Sequence, residues 1–174
     1  MGASTAVSIK DYLQTSFPDL DREYRDGEIV ERSMPDYLHG KAQALLVVFF
    51  AMLRGRLPLF PASETRLQMG ANKVLIPDVA VFYAVEPATQ PVTPPLIAIE
   101  ILSPDDRLSA VGEKLEEYRA WGVPHVWLVD PHSRRLYACE GALYACEGAL
   151  TEVASLTIPD LSIELKPSDV FDWQ

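Results

Sequence analysis

Two carboxylates interrupt segments that are otherwise apolar and strand-like: Asp78 in Ile76-Pro77-Asp78-Val79-Ala80-Val81-Phe82, and Glu100 in Leu96-Ile97-Ala98-Ile99-Glu100-Ile101-Leu102. The second segment is nearly continuous in apolar character, the pattern of a strand covered on both faces. An acid inside such a strand is costly to bury unless a partner compensates it, and a bound cation does so directly. The chain is therefore constrained to a sheet in which both strands are covered and both acids meet positive charge. Alternation places Asp78, Ala80 and Phe82 on one face, and Ala98, Glu100 and Leu102 on one face of the other strand. If the strands are neighbours, the small alanines leave room beside the acids for a hydrated ion. Hard oxygen ligands suit magnesium or manganese.

The surrounding elements follow from punctuation and periodicity. Ser8 with Asp11 opens a short helix that ends by Phe17-Pro18. Asp26-Gly27 divides Glu23–Arg32 into the two arms of a hairpin. Tyr37–Arg54 reads as a long helix, apolar on all sides from Ala44 to Leu53, which predicts cover by the sheet and by a second subunit. Pro58 and Pro61 close that helix. Strands are expected over Glu64–Met69, Val74–Tyr83 and Leu96–Leu102, with a proline-rich loop from Ala84 to Pro95. Ser103-Pro104-Asp105-Asp106 predicts a second helix, capped by Ser103 and running to Trp121 before Gly122 and Pro124. Strands follow at His125–Asp130 and Arg134–Glu140, then a hairpin, then a short strand at Ser162–Leu165. The order predicts an α/β (α+β) fold with a mixed central sheet flanked by helices. We expect one domain over residues 1–174, with helix and hairpin at 8–32, a core at 37–140, and a hairpin and tail at 141–174.

Lys114 is the third candidate. On a helical projection Leu108, Val111, Leu115 and Tyr118 form the buried stripe, and Lys114 falls at its edge, able to snorkel towards the sheet. A lysine there would orient a water attacking a phosphate, or deprotonate it as the neutral amine. Plainer readings stand beside this one: Asp78 closing a turn, Glu100 in a structural ion pair, Lys114 as a solvated helix residue. His39, at the start of the long helix, and Glu31, at the end of a hairpin arm, are accessory candidates for a phosphate or metal-water contact and for a further metal oxygen. His125 and His132 read as structural.

The chain carries 15 basic and 25 acidic residues, a net charge of −10. That excludes a nucleic-acid coating role, which rewards Lys and Arg. The excess is concentrated late, with four basic against ten acidic residues over 115–174, so an enzyme touching DNA only at a cleft remains compatible. No apolar run reaches membrane-spanning length, and the N-terminus shows no secretory signal or myristoylation pattern. The two cysteines, Cys139 and Cys146, have no partners at metal spacing, which points to a reducing cytoplasm. Both lie in a tandem heptapeptide, YACEGAL, at Tyr137–Leu143 and Tyr144–Leu150. An odd insertion would swap strand faces, so we expect a longer hairpin turning at Gly141 or Gly148. Competing registers and a hairpin reaching a neighbour are the alternatives.

Pro77-Asp78, Glu100 followed by Leu102-Ser103-Pro104, Gly112–Tyr118 with Lys114, Gly122-Val123-Pro124 and Trp127–Pro131 together resemble the Uma-two family, within the PD-(D/E)XK nuclease superfamily. The resemblance extends to Asp26-Gly27-Glu28, His39 and Ile158–Leu161, covering nearly the whole chain. It implies a restriction-endonuclease-like core, a metal on Asp78 and Glu100, and hydrolysis of DNA phosphodiesters. The superfamily lysine normally lies two residues after the acid, where this chain has Leu102; the resemblance assigns its role to Lys114. Relatives often carry an acid where this chain has Ala110. The implied protein is a magnesium- or manganese-dependent endonuclease, expected to be a homodimer because cutting both strands of a duplex needs two sites. The alternatives are a catalytically degenerate binding module of the same fold, and a hydrolase of RNA or a small phosphoester.

Overall fold

The structure, a computed structural model, describes residues 7–139 and 150–172. Helix α1 (Ile9–Gln14) begins where expected: Ser8 accepts the Asp11 backbone N–H and donates its hydroxyl to the Asp11 carboxylate. The hairpin of β1 (Glu23–Arg25) and β2 (Glu28–Val30) turns on Asp26 and Gly27, both at positive φ (50° and 91°). That is the combination a tight two-residue turn demands and Asp-Gly supplies.

Helix α2 (Tyr37–Met52) is capped by Asp36, whose carboxylate accepts the His39 N–H. It buries Ala42, Leu46 and Phe50 and leaves Val48 and Met52 open at 50 % and 79 % exposure. The expected all-round cover is thus absent within one chain, because the sheet reaches only one side of the helix. A short 3-10 turn, Leu53–Gly55, follows.

Two further expectations are corrected here. The chain resumes as a strand earlier than expected, at β3 (Leu59–Ser63), which contains Pro61; within 64–69 only β4 (Leu67–Gln68) is strand. Proline is tolerated because β3 is an edge strand. The single strand expected over Val74–Tyr83 is two, β5 (Lys73–Leu75) and β6 (Val79–Tyr83), in different sheets. The chain changes sheet at Ile76-Pro77-Asp78, where proline removes a ladder donor.

The larger sheet has six strands. With β7 (Ile97–Ile101), β8 (His125–Asp130), β9 (Arg135–Cys139) and β10 (Leu150–Val153), its order is β10-β9-β8-β7-β6-β3. Only β7 and β8 pair in parallel, joined by helix α3 (Leu108–Trp121), while the other neighbours are antiparallel. The smaller sheet, β2-β1-β5-β4, carries the hairpin. A two-stranded sheet, β11 (Leu156–Ile158) with β12 (Ile163–Leu165), and helix α4 (Pro167–Phe171) complete the described chain. Gly141, Gly148 and Cys146 of the duplicated heptapeptide lie outside the described residues.

Alternation sorts the core. Val79, Val81, Ile97, Ile99 and Ile101 cluster with Ala42, Leu46 and Phe50 of α2. Ala80, Phe82, Ala98 and Leu128 cluster with Leu115 and Tyr118 of α3 on the opposite face. The mixed sheet between helices is the expected fold class.

Helix α3 starts later than Ser103. The Ser103 N–H donates to the Asp106 carboxylate and Asp106 N–H to the Ser103 carbonyl, closing a turn, so Ser103 is not the cap and the helix opens at Leu108. It ends on Gly122 at φ 102°. Among the described residues no helix is long and apolar enough to cross a membrane.

Candidate functional site

Strand register brings the two acids together. Ala80 pairs with Ala98 across β6 and β7, and continuing that antiparallel register by two residues sets Asp78 opposite Glu100. The Ile101 N–H donates to Asp78 Oδ2 at 2.6 Å, tying the residue before β6 to the end of β7. Both acids line a cavity of about 340 Å³, together with Glu23, Arg32, His39 and Lys114. The room beside the acids is not made by the alanines as expected. Ala80 and Ala98 are fully buried among α3 side chains, and the cavity lies instead beyond the strand end, walled by the hairpin and the first turns of α3.

Lys114 is deeper than its sequence position suggests. Leu108 is 70 % exposed, and Lys114, Leu115 and Tyr118 form the buried face of α3, because the first turn of the helix overhangs the cavity. The Lys114 ammonium reaches Glu23 Oε1 at 2.7 Å, Glu100 Oε1 and Oε2 at 2.9 and 3.0 Å, and the Ile76 carbonyl at 2.8 Å. An ammonium has three donors, so all are committed. One turn on, the Tyr118 hydroxyl donates to Glu100 Oε1 at 2.9 Å. The second carboxylate of this group, Glu23, also accepts the Ile76 N–H at 3.1 Å and pairs with Arg25.

On the other side of the cavity, Arg32 forks between Asp78 Oδ1, at 2.9 Å, and the Glu64 carboxylate. Gln43 donates to Glu64 Oε1 at 2.8 Å and to the Asp78 carbonyl at 2.9 Å. His39 Nε2 lies 3.3 Å from Asp78 Oδ2, while His39 Nδ1 is buried and has no hydrogen-bond partner among the described residues. Buried ring nitrogens are ordinarily satisfied, so this atom fits a contact from outside the chain.

The electrostatics follow from this crowding. Burial, with the charges of Asp78 and Glu23, outweighs Lys114 and pushes the Glu100 carboxyl up to about 8. Burial works in the same sense on Asp78, but His39, Lys114 and Arg32 overcome it and hold its carboxyl below the usual range. Burial lowers the His39 imidazolium, yet Asp78 more than offsets this and raises it. Glu23 is held down by Lys114, and Lys114 is held up by Glu100 and then Glu23, each against its burial.

Of the residues singled out in the sequence, Asp78, Glu100, Lys114 and His39 are thus brought to one cavity. Glu31 is not brought into the acid pair: it lies at the rim, its side chain 79 % exposed and paired with Arg22 at 3.3 Å. Sequence reasoning missed Glu23, Arg32, Gln43, Glu64 and the hydroxyl of Tyr118. Only Tyr118 had a signal, four residues after Lys114 and so on the same helical face.

The arrangement fits a hard divalent cation. Asp78 Oδ1 and Glu100 Oε2 each carry one hydrogen bond, leaving lone pairs, and the raised Glu100 carboxyl reflects a cluster of acids short of positive charge. Among the described residues no set of three or more Asp, Glu, His or Cys is arranged around one point. Two carboxylates with retained waters are a usual donor set for magnesium.

A family model described as "Putative restriction endonuclease", Uma2, matches residues 9–166. The crystal structure of a putative nuclease belonging to DUF820, from Anabaena variabilis, superposes with a TM-score of 0.78. It is 22 % identical, and the match covers 96 % of this chain and 98 % of that one. At that identity the likeness shows a shared fold, the restriction-endonuclease-like one. A comparison with curated proteins finds no match.

Proposed function

The chain belongs to the Uma2 family, and from that premise we propose that it is a metal-dependent endonuclease hydrolysing DNA phosphodiester bonds. Magnesium or manganese would be held by Asp78 and Glu100. The observation that carries this reading is the register that sets Asp78 opposite Glu100 over a cavity, with Lys114 on the second acid. A divalent cation there supplies a Lewis acid for the phosphoryl oxygen and lowers the pKa of a bound water.

The chain's own groups do the rest. Ile101 N–H and His39 fix Asp78, so its carboxylate is aimed before any ligand arrives. Lys114 and Tyr118 fix Glu100 in the same way and place a buried positive charge beside the position where phosphate charge develops. His39 Nδ1, without a partner among the described residues, can donate to a phosphate oxygen when the imidazole is protonated, the form that Asp78 favours. A homodimer acting in the cytoplasm completes the reading, since cutting both strands of a duplex needs two sites; sedimentation gives its mass.

One observation favours the second reading, a binding module that keeps the fold: the Lys114 donors are all engaged within the chain. The two readings separate in a nicking assay on supercoiled plasmid with magnesium or manganese. The nuclease reading expects metal-dependent nicking, abolished in Asp78→Asn and in Lys114→Ala. Folded wild-type protein that leaves every DNA form intact with both metals supports the binding module instead.

A further inference from the structure

We propose that Arg32 is a built-in counter-cation for Asp78 that competes with a divalent metal, and that Glu64 is the group that draws it aside. This rests on the reading of Asp78 as a metal ligand. Asp78 Oδ2 is taken by the Ile101 N–H and by His39. Oδ1 is the oxygen left for an incoming cation, and the group touching it is the Arg32 guanidinium, at 2.9 Å. A guanidinium and a divalent ion cannot both contact one carboxylate oxygen closely, because their like charges repel across a poorly screened, mostly buried site. The Arg32 side chain is only 11 % exposed.

The geometry also supplies the alternative position. The same guanidinium bonds Glu64 through its other terminal nitrogen, and Glu64 is 34 % exposed. Gln43 holds Glu64 in place while also holding the Asp78 carbonyl, so the two acids stay at a fixed spacing. Arg32 therefore has one buried and one wetter carboxylate within reach of one planar fork. A fork of five donors can transfer its weight to Glu64 without losing its charge partner. Lys114 has no such second resting place, since its partners are the two acids and a carbonyl around it.

The test is calorimetric titration of the full chain with manganese chloride. Arg32→Gln is expected to bind about tenfold more tightly than wild type, in the ordinary range of coupling between two ligands at one site. Glu64→Gln leaves the guanidinium to close on Asp78 alone, and is expected to bind about fivefold more weakly. The Glu64→Gln loss should vanish in the Arg32→Gln/Glu64→Gln double variant. Equal or weaker binding by Arg32→Gln overturns the proposal. So does a Glu64→Gln loss that persists without Arg32, because Glu64 would then itself be a ligand. If Arg32→Gln does not fold, unchanged or tighter binding by Glu64→Gln overturns it alone. Asp78→Asn separates the two levels of the argument. Wild-type binding lost in Asp78→Asn, with no gain in Arg32→Gln, overturns the competition and leaves the metal reading standing. Binding that survives Asp78→Asn, or no binding in any variant, overturns both.

Discussion

Two cations stand over the carboxylates of this cavity, and they are held in different ways. Lys114 is enclosed by Glu23, Glu100 and the Ile76 carbonyl, with every donor used and Tyr118 backing the same acid. Arg32 divides one fork between buried Asp78 and half-buried Glu64. The first arrangement is a closed network that the fold depends on, whereas the second is exchangeable. The contrast shows why one site can be rigid and still leave an acid accessible: the fixed charge shapes it, and the movable charge guards it.

The largest effect should come from breaking the closed side. Lys114→Met removes the cation between Glu100 and Glu23, leaving Arg25 as the cation on Glu23, and should cost about 3–5 kcal/mol of stability, the usual penalty for removing one partner of a buried pair. Urea unfolding measures it. A loss no greater than that of Arg32→Met would erase the contrast.

Next in size is a pH effect that both sides share. A carboxyl raised in the folded state, as Glu100 is, adds stability that is full below its unfolded value and is lost as pH rises through about 8. His39, also raised, acts in the same sense, its contribution fading as pH climbs from its ordinary value through its folded one. Metal-free protein should therefore lose about 2 kcal/mol between pH 6 and pH 8.5. Magnesium should restore part of it at pH 8.5, and Glu100→Gln should leave only the His39 portion. Thermal melts across that range, with and without magnesium, give the slope. A metal-free protein that grows more stable towards pH 8.5 would contradict the charge balance described here.

Arg32→Met should cost less, about 1–2 kcal/mol, because Glu64 can turn to water and only Asp78 loses a buried partner. The smallest change is expected for Tyr118→Phe, about 1 kcal/mol, since it removes one hydrogen bond to Glu100 and leaves the Lys114 contacts in place. Denaturant midpoints rank the two. Reversal of that order would mean that the Tyr118 hydroxyl contributes more to stability than the Arg32 fork does.

Much of this was legible before folding, for particular reasons. Asp78 and Glu100 announce themselves because an acid in an apolar strand is conspicuous, and alternation gave their faces correctly. Lys114 could be brought to the edge of the buried stripe by helical angle alone. Its full burial could not, because that depends on the first turn of α3 overhanging the cavity, which leaves Leu108 exposed. Ser103-Pro104-Asp105-Asp106 satisfies a helix start and a closed turn equally well, and tertiary context chose the turn. The break at Pro77 is local, yet its consequence is not: it sends β5 to pair with β1, which is how Glu23 arrives over Ile76. Glu23, Arg32 and Glu64 stand at the ends of segments read as hairpin arms and a strand, and alternation does not say what an end residue meets, so only the paired sheets reveal them as partners of the two acids. Glu31, one residue from Arg32, had the same local signal and points away to Arg22.

The central claim is that Asp78 and Glu100 form a divalent-cation site, and the most direct test is an anomalous-scattering map from crystals soaked in manganese. The account predicts one strong peak bonded to Asp78 and Glu100, absent from Asp78→Asn crystals, with the Arg32 guanidinium moved towards Glu64. A well-ordered cavity without a peak at saturating manganese, or a peak elsewhere on the chain, would contradict it.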